Sequence, residues 1–115
     1  MAGATFELVR SIALALPGAE EARTWGTETA FQVTGKMFAV AAPDEPYATV
    51  KAAPAEQAAL VAADPETYSV APTTGRFGWV RIELSRIDPA ALRELIVTAW
   101  RSTAPRRLTT TYEDD

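Results

Sequence analysis

The chain lacks the two side chains that proteins use most for chemistry near neutral pH. Among its 115 residues there is no histidine and no cysteine. Imidazole and thiolate supply the usual general base, the usual soft-metal ligands and a strong nucleophile. Their absence excludes a disulfide framework and argues against a zinc or haem site. We therefore expect no catalytic residues, no metal and no cofactor, and hence a protein that is not an enzyme.

Long apolar runs are also missing. Hydrophobic residues make up 48% of the chain, but they occur in short blocks, and none approaches the roughly 18 to 20 residues that span a bilayer. The first residues have neither the positive charge nor the apolar stretch of a secretory signal. We therefore expect a cytoplasmic protein without a membrane partner. The length fits one domain over residues 1–107, followed by an acidic tail over residues 108–115.

Positive charge is scarce and unevenly distributed. The formal net charge is -4, which disfavours a surface that coats DNA, because phosphate neutralisation supplies most of the non-specific affinity. Of the 11 basic residues, the seven between positions 76 and 107 are all arginines. Two interpretations of this concentration stay open: a local basic face, or simply the solvated sides of one strand and one helix.

Three segments carry the sequence signals of helices. Thr5 can cap a first helix that ends at Pro17-Gly18. Pro54 suits the first turn of an alanine-rich helix that ends before Asp64-Pro65. The clearest signal is Asp88-Pro89, a cap followed by a first-turn proline. The apolar stripe that follows it has helical spacing and places Trp100 in the core: Leu92, Leu95, Ile96, Ala99 and Trp100.

The remaining apolar segments alternate with a period of two, which is typical of strands. Thr34-Gly35 predicts a tight hairpin turn, which would pair Phe31 with Phe38 and Val33 with Lys36. Glu20-Glu21 is interpreted as a solvated loop, and the residues after Pro105 as a short helical continuation that frays. The predicted strands are 28–33, the segment from Lys36, 47–52, 67–71 and 79–84.

This order of elements predicts an α+β fold. The expected arrangement is α-β-β-β-α-β-β-α, in two layers, with the helices on one face of an antiparallel sheet. The opposite face of the sheet would then be at least partly open to water. On strand 47–52 the alternation puts Tyr47, Thr49 and Lys51 on one side. On strand 79–84 it puts Trp79 and Arg81 on the polar side.

Four short motifs in the chain resemble those of the MmcQ/YjbR family of small bacterial domains. They are Trp25-Gly26, Gly35-Lys36-Met37-Phe38-Ala39, Val50-Lys51 and Gly78-Trp79-Val80. The resemblance covers nearly the whole chain and implies a compact α+β domain with the same order of elements. It also implies nucleic-acid binding, with the Gly35-Lys36 and Gly75–Gly78 hairpins acting as two wings.

The candidate binding residues come from these motifs and from the open face of the sheet. They are Trp25, Lys36, Tyr47, Lys51, Arg76, Trp79 and Arg81. Aromatic side chains interleaved with cations suit stacking on bases or holding an anion. Each has a plainer alternative: Lys36 as an ordinary solvated turn residue, Trp25 as a loop staple and Trp79 as part of the core.

Three functions therefore stay in competition. The first is nucleic-acid binding through the open face and the two hairpins. The second is a protein-interaction or chaperone-like domain, in which the face with Tyr47 and Trp79 meets a partner or a second copy. The third is small-anion binding around Lys36, Lys51 and Arg81. Glu20, Glu21 and Glu28 are the carboxylates nearest to Trp25, but no orienting base or nucleophile accompanies them.

Overall fold

The computed structural model describes residues 3–23 and 27–113, which contain four α-helices and six β-strands. In chain order these are α1 (Phe6–Leu14), β1 (Ala19–Arg23), β2 (Thr29–Val33), β3 (Lys36–Ala41), β4 (Tyr47–Val50), α2 (Pro54–Ala63), β5 (Tyr68–Val70), β6 (Val80–Glu83), α3 (Pro89–Arg101) and α4 (Arg106–Glu113). Short 3₁₀ turns lie at Thr74–Phe77 and Leu84–Arg86. The α+β prediction is confirmed.

The six strands form one antiparallel sheet in the order β1-β2-β3-β4-β6-β5. The last strand in sequence, β6, inserts between β4 and β5, so the chain leaves the sheet through α2 before it returns. All four helices contribute side chains to the one hydrophobic core. The sheet is therefore covered by helices on one face, as the sequence predicts.

The alternation of side chains along β4 and β6 separates the two faces of the sheet. Val50 pairs with Val80, and both are fully buried in the core. Thr49 pairs with Arg81, and both are half-buried on the opposite face. Because successive side chains of a strand point to opposite faces, the residues that build the core also determine which residues line the open face.

Helix starts match their sequence signals. The Thr5 hydroxyl oxygen accepts a hydrogen bond from the Leu8 amide at 3.2 Å, and the Asp88 carboxylate accepts one from the Ala90 amide at 3.0 Å. At the end of α2, the Thr67 hydroxyl donates to the Asp64 carboxylate at 2.7 Å, and this bond holds the pKa of Asp64 below its usual value.

In the described ranges no helix is long and apolar enough to cross a bilayer.

The pairing of β2 with β3 differs from the prediction by a β-bulge. The Thr34-Gly35 turn forms, and Val33 lies opposite Lys36 as predicted. Phe31, however, pairs with Ala39 and not with Phe38, because the register shifts between Phe31 and Gln32. The extra residue of the bulge is Phe38, which is fully buried in the core. Counting back from a turn cannot detect such an insertion.

The prediction of a solvated loop at Glu20-Glu21 was wrong, because these residues lie in β1. Glu21 pairs with Phe31 across the ladder. Its carboxylate oxygen lies 2.8 Å from Arg10 Nε on α1. The strand lies at the edge of the sheet, where the charged residues that suggested a loop are tolerated.

The predicted frayed end is also different, because residues 106–113 form α4. Trp100 anchors this helix. Its indole Nε1 donates to the Pro17 carbonyl oxygen at 3.0 Å, and its ring meets that of Tyr112 edge to face, with centroids 5.3 Å apart. Trp100 is fully buried, as its helical stripe predicts. The C-terminal helix is therefore held by the core and not by its own helix propensity.

Two glycines with positive φ provide a matched test of the fold. Gly78 has φ 105°, and a Cβ there would overlap the Ala52 carbonyl oxygen and lie 2.9 Å from two further backbone atoms. Gly35 has φ 79°, and a Cβ there would meet nothing within 4 Å. We expect Gly78→Ala to cost about 3 kcal/mol or more, because the left-handed strain adds to a backbone clash. We expect Gly35→Ala to cost only about 1 kcal/mol.

Urea unfolding followed by circular dichroism measures both free energies of unfolding. Equal losses for the two variants would contradict the close packing of residue 78 against the start of α2.

Candidate binding site on the open face of the sheet

The open face of the sheet carries a pocket of about 360 Å³, here named the open-face pocket. Strands β3, β4 and β6 form its floor, and the loop between β5 and β6 forms one wall. The residues that line it are Glu28, Met37, Val40, Tyr47, Thr49, Pro72, Thr73, Thr74, Trp79 and Arg81. The pocket thus combines apolar walls with threonine hydroxyls and, among the described lining residues, one cation.

That cation, Arg81, lies against an aromatic ring. Its guanidinium carbon is 3.5 Å from the centroid of the Tyr47 ring, which comes from the neighbouring strand. Its Nε is buried and has no hydrogen-bond partner in the described part of the chain. Arginine stays charged at all physiological pH values. A buried donor without an acceptor costs about 1–3 kcal/mol, so Arg81 Nε is the polar group of this pocket that a ligand would satisfy.

The wall formed by residues 71–79 is fixed to the start of α2. The side-chain amide of Gln57 donates to the carbonyl oxygens of Gly75 and Trp79, at 2.8 Å and 2.7 Å. The Ala71 amide also donates to the Trp79 oxygen, at 3.3 Å. The Gln57 side chain therefore holds the middle and one end of the loop, and the Ala71 bond joins the two ends. The position of Trp79 in the pocket therefore depends on Gln57.

The same loop holds a strained residue at the rim of the pocket. Thr73 has φ 67° and ψ -59°, a region that β-branched residues rarely adopt. Such a conformation costs of order 1–3 kcal/mol and persists only where its surroundings enforce it. Strained residues cluster at ligand sites. The loop is thus held in one particular shape beside the pocket.

The predicted binding residues divide into two groups. Tyr47, Trp79 and Arg81 meet in the open-face pocket, on the shared face that the alternation of β4 and β6 indicated. Lys36 and Arg76 are exposed elsewhere, and Lys51 is half-buried, and none of these three lines the pocket. The cations therefore scatter and do not form a single basic face. The predicted residue Trp25 lies outside the described residues.

Trp79 was open to two interpretations, a place on the open face or a place in the core. It lies just before β6 and is only 9% exposed, because the loop and the sheet cover it. The protein-interface hypothesis relied on an accessible Trp79, so this burial removes its main residue. The apolar side chain that is exposed in this pocket is Met37, at 43%.

Sequence reasoning missed several lining residues. Met37 and Val40 are three positions apart, so strict alternation places them on opposite faces. The bulge at Phe38 shifts the alternation of β3 by one residue. Met37 therefore pairs with Gln32, and Val40 pairs with Ala30. Because Gln32 and Ala30 lie on the same face of β2, Met37 and Val40 also share a face. Thr73 and Thr74 come from a loop whose path has no periodic signal. A misfit between the turn and two aromatic positions was the only available sign of the bulge.

A second cleft, of about 410 Å³, lies on the helical side between α1, β1 and β2. Its cation, Arg10, is already paired with Glu21. Among residues 3–23 and 27–113 no group of three or more metal-ligating side chains is found. The open-face pocket differs from the other clefts in that its cation, Arg81, has a buried nitrogen without a hydrogen-bond partner among the described residues.

Residues 14–102 match the family model described as YjbR. The chain belongs to the YjbR family. This match spans all six strands and all of α3, and so it includes every described residue of the open-face pocket. No curated relative matches the chain.

The fold of this YjbR domain is shared with a solved structure. The crystal structure of Deinococcus radiodurans protein DR2400, which has a DUF419 domain, is similar with a TM-score of 0.78 and 20% sequence identity. The similarity covers 85% of this chain and 77% of that chain. At this identity the comparison establishes the fold alone.

The role of Gln57 gives a testable prediction for this YjbR domain. We expect Gln57→Ala to lower the free energy of unfolding by about 1–2 kcal/mol, because two hydrogen bonds from α2 to the loop are lost. We also expect faster amide hydrogen exchange in residues 71–79 than in the rest of the sheet. Glu56→Ala changes the same helix without removing either bond, and serves as the control. Unchanged exchange in the loop would contradict the anchoring role.

Proposed function

We propose that this YjbR domain is a non-catalytic binding module whose open-face pocket holds a small anionic ligand through Arg81. The observation that carries the proposal is the guanidinium of Arg81, stacked on Tyr47 with a buried Nε that has no acceptor among the described residues. An anion would supply that acceptor and neutralise the charge. Hydrogen bonds to ionised groups are roughly twice as strong as neutral ones.

The size and the walls of the pocket support a small ligand. Its volume of about 360 Å³ lies within the range of roughly 300–1,000 Å³ found for small-molecule sites. Tyr47 on one side and Trp79 on another restrict the position of the ligand. Because both are attached to paired strands or to an anchored loop, the pocket is largely formed before binding, which reduces the entropic cost of association.

The absence of catalysis is part of the proposal. The chain offers neither imidazole nor thiol, the groups that most often transfer protons or attack carbonyl carbons near neutral pH. The titratable groups that line the pocket are Glu28, Tyr47 and Arg81. Arginine cannot act as a base. The groups present are better suited to holding a ligand than to transforming it.

A thermal-shift screen with carboxylates, phosphates and sulfonates tests this function. At one hundred times its Kd a ligand stabilises the native state by about 2.7 kcal/mol, which corresponds to a rise in Tm of about 10 °C for a domain of this size. We expect such a rise for at least one class of anion. It should disappear in Arg81→Gln and persist in Arg93→Gln, whose side chain is exposed on α3. A flat screen would overturn the proposal.

A second candidate function is nucleic-acid binding, and one observation favours it. The Arg76 guanidinium lies 4.8 Å from the centroid of the Phe77 ring, and Phe77 is 62% exposed. An exposed aromatic ring with a cation suits a base and its phosphate. This pair lies in the Gly75–Gly78 hairpin that the family resemblance implicates. The net charge of -4 and the scattered lysines count against it.

Fluorescence anisotropy at low salt separates the two candidates. If the domain is a small-anion binder, we expect single-stranded and duplex DNA to bind with a Kd of about 10⁻⁴ M or weaker. Tighter binding that weakens with added salt, and that is lost in Phe77→Ala but kept in the exposed control Val70→Ala, would favour nucleic acid instead.

A further inference from the structure

We infer that the ligand of the open-face pocket is a monocarboxylate with a flat apolar body. This inference rests on the proposed function and specifies its chemistry. Three features of the pocket define the ligand in turn: the edge of the Arg81 guanidinium, the balance of charge, and the apolar walls.

The first feature is the orientation of Arg81. The Arg81 guanidinium carbon lies 3.5 Å from the centroid of the Tyr47 ring, and because all guanidinium N–H bonds lie in the plane of the group, an anion binds at one of its edges. The edge that contains Nε has two parallel N–H bonds, and Nε is the atom that is buried without a partner among the described residues. Two parallel donors in one plane match the two oxygens of a carboxylate. A planar anion therefore fits this edge better than a tetrahedral one.

The second feature is charge. Arg81 is the cation among the described lining residues. One guanidinium balances one negative charge. A dianion such as a phosphate monoester would leave its second charge without a cation among those residues, and an uncompensated charge that is withdrawn from water is costly. The pocket therefore favours a singly charged ligand.

The third feature is the apolar wall. Trp79, Met37 and Val40 line the pocket together, and the exposed part of Met37 is 43% of its surface. Indole and thioether groups pack well against flat apolar rings, and the flexible methionine adapts to their outline. A ligand that covers Met37 removes apolar surface from water. The volume of about 360 Å³ has room for one bicyclic ring and its carboxylate.

Three probes of nearly the same shape test the inference. They are 2-naphthoate, its neutral amide 2-naphthamide, and the dianion 2-naphthyl phosphate. Titrations of ¹⁵N-labelled protein are followed by NMR, through the Arg81 Nε–H and the Trp79 indole N–H signals. We expect 2-naphthoate to move both signals and to bind about tenfold or more tightly than either of the other probes.

Two variants complete the test. Arg81→Lys keeps the charge but loses the planar pair of donors, so we expect at least a tenfold loss of affinity for 2-naphthoate. Arg93→Lys makes the same replacement on α3 and should leave binding unchanged. The wild-type Arg81 Nε–H shift needs no variant, so the inference can be tested even if Arg81→Lys folds poorly.

The possible failures are distinguishable. If 2-naphthyl phosphate binds most tightly and moves the Arg81 signal, the carboxylate inference is overturned while the proposed function stands. If 2-naphthamide binds as well as 2-naphthoate and Arg81 Nε–H stays unmoved, both are overturned. If none of the probes moves either signal, the inference is overturned, and the anion screen decides the proposed function separately.

Discussion

The pairing of β4 with β6 is the interaction on which both the core and the pocket depend. It joins Val50 to Val80 in the interior. At the adjacent position of the two strands it joins Thr49 to Arg81 on the opposite face. A shift of one residue in this register would expose the valines and bury the arginine among aliphatic side chains. The hydrophobic effect therefore holds the polar pocket in place indirectly, by fixing which side of each strand faces the helices.

The placement of Arg81 is costly unless its surroundings compensate. A guanidinium that is partly withdrawn from water loses hydration, and stacking on an aromatic ring returns only about 0.5–2 kcal/mol. The strain at Thr73 adds to this cost on the neighbouring wall. Two unfavourable features thus meet at one pocket. Local departures of this kind are typical of functional sites in otherwise consistent structures.

The fold class and the shared face of Tyr47, Trp79 and Arg81 could be predicted from the sequence, because alternation, capping residues and proline positions are local signals. Other features could not. The bulge at Phe38 depends on how two aromatic rings fit one core, and β1 has a charged sequence that only its edge position explains. Helix α4 depends on Tyr112 meeting Trp100. The cover over Trp79 comes from a loop whose shape is set by Gln57, which lies 22 residues away in the chain.

The two margins of the sheet differ from its centre in a way that concerns association between molecules. At one margin, β1 contains Glu20 and Glu21, and at the other, β5 has only three residues. A charged strand and a very short strand are both poor templates for a strand from another chain. The sheet therefore differs from sheets that extend from copy to copy into fibres. At high protein concentration, neighbouring copies would meet without an edge strand that supports continuous backbone hydrogen bonding between them.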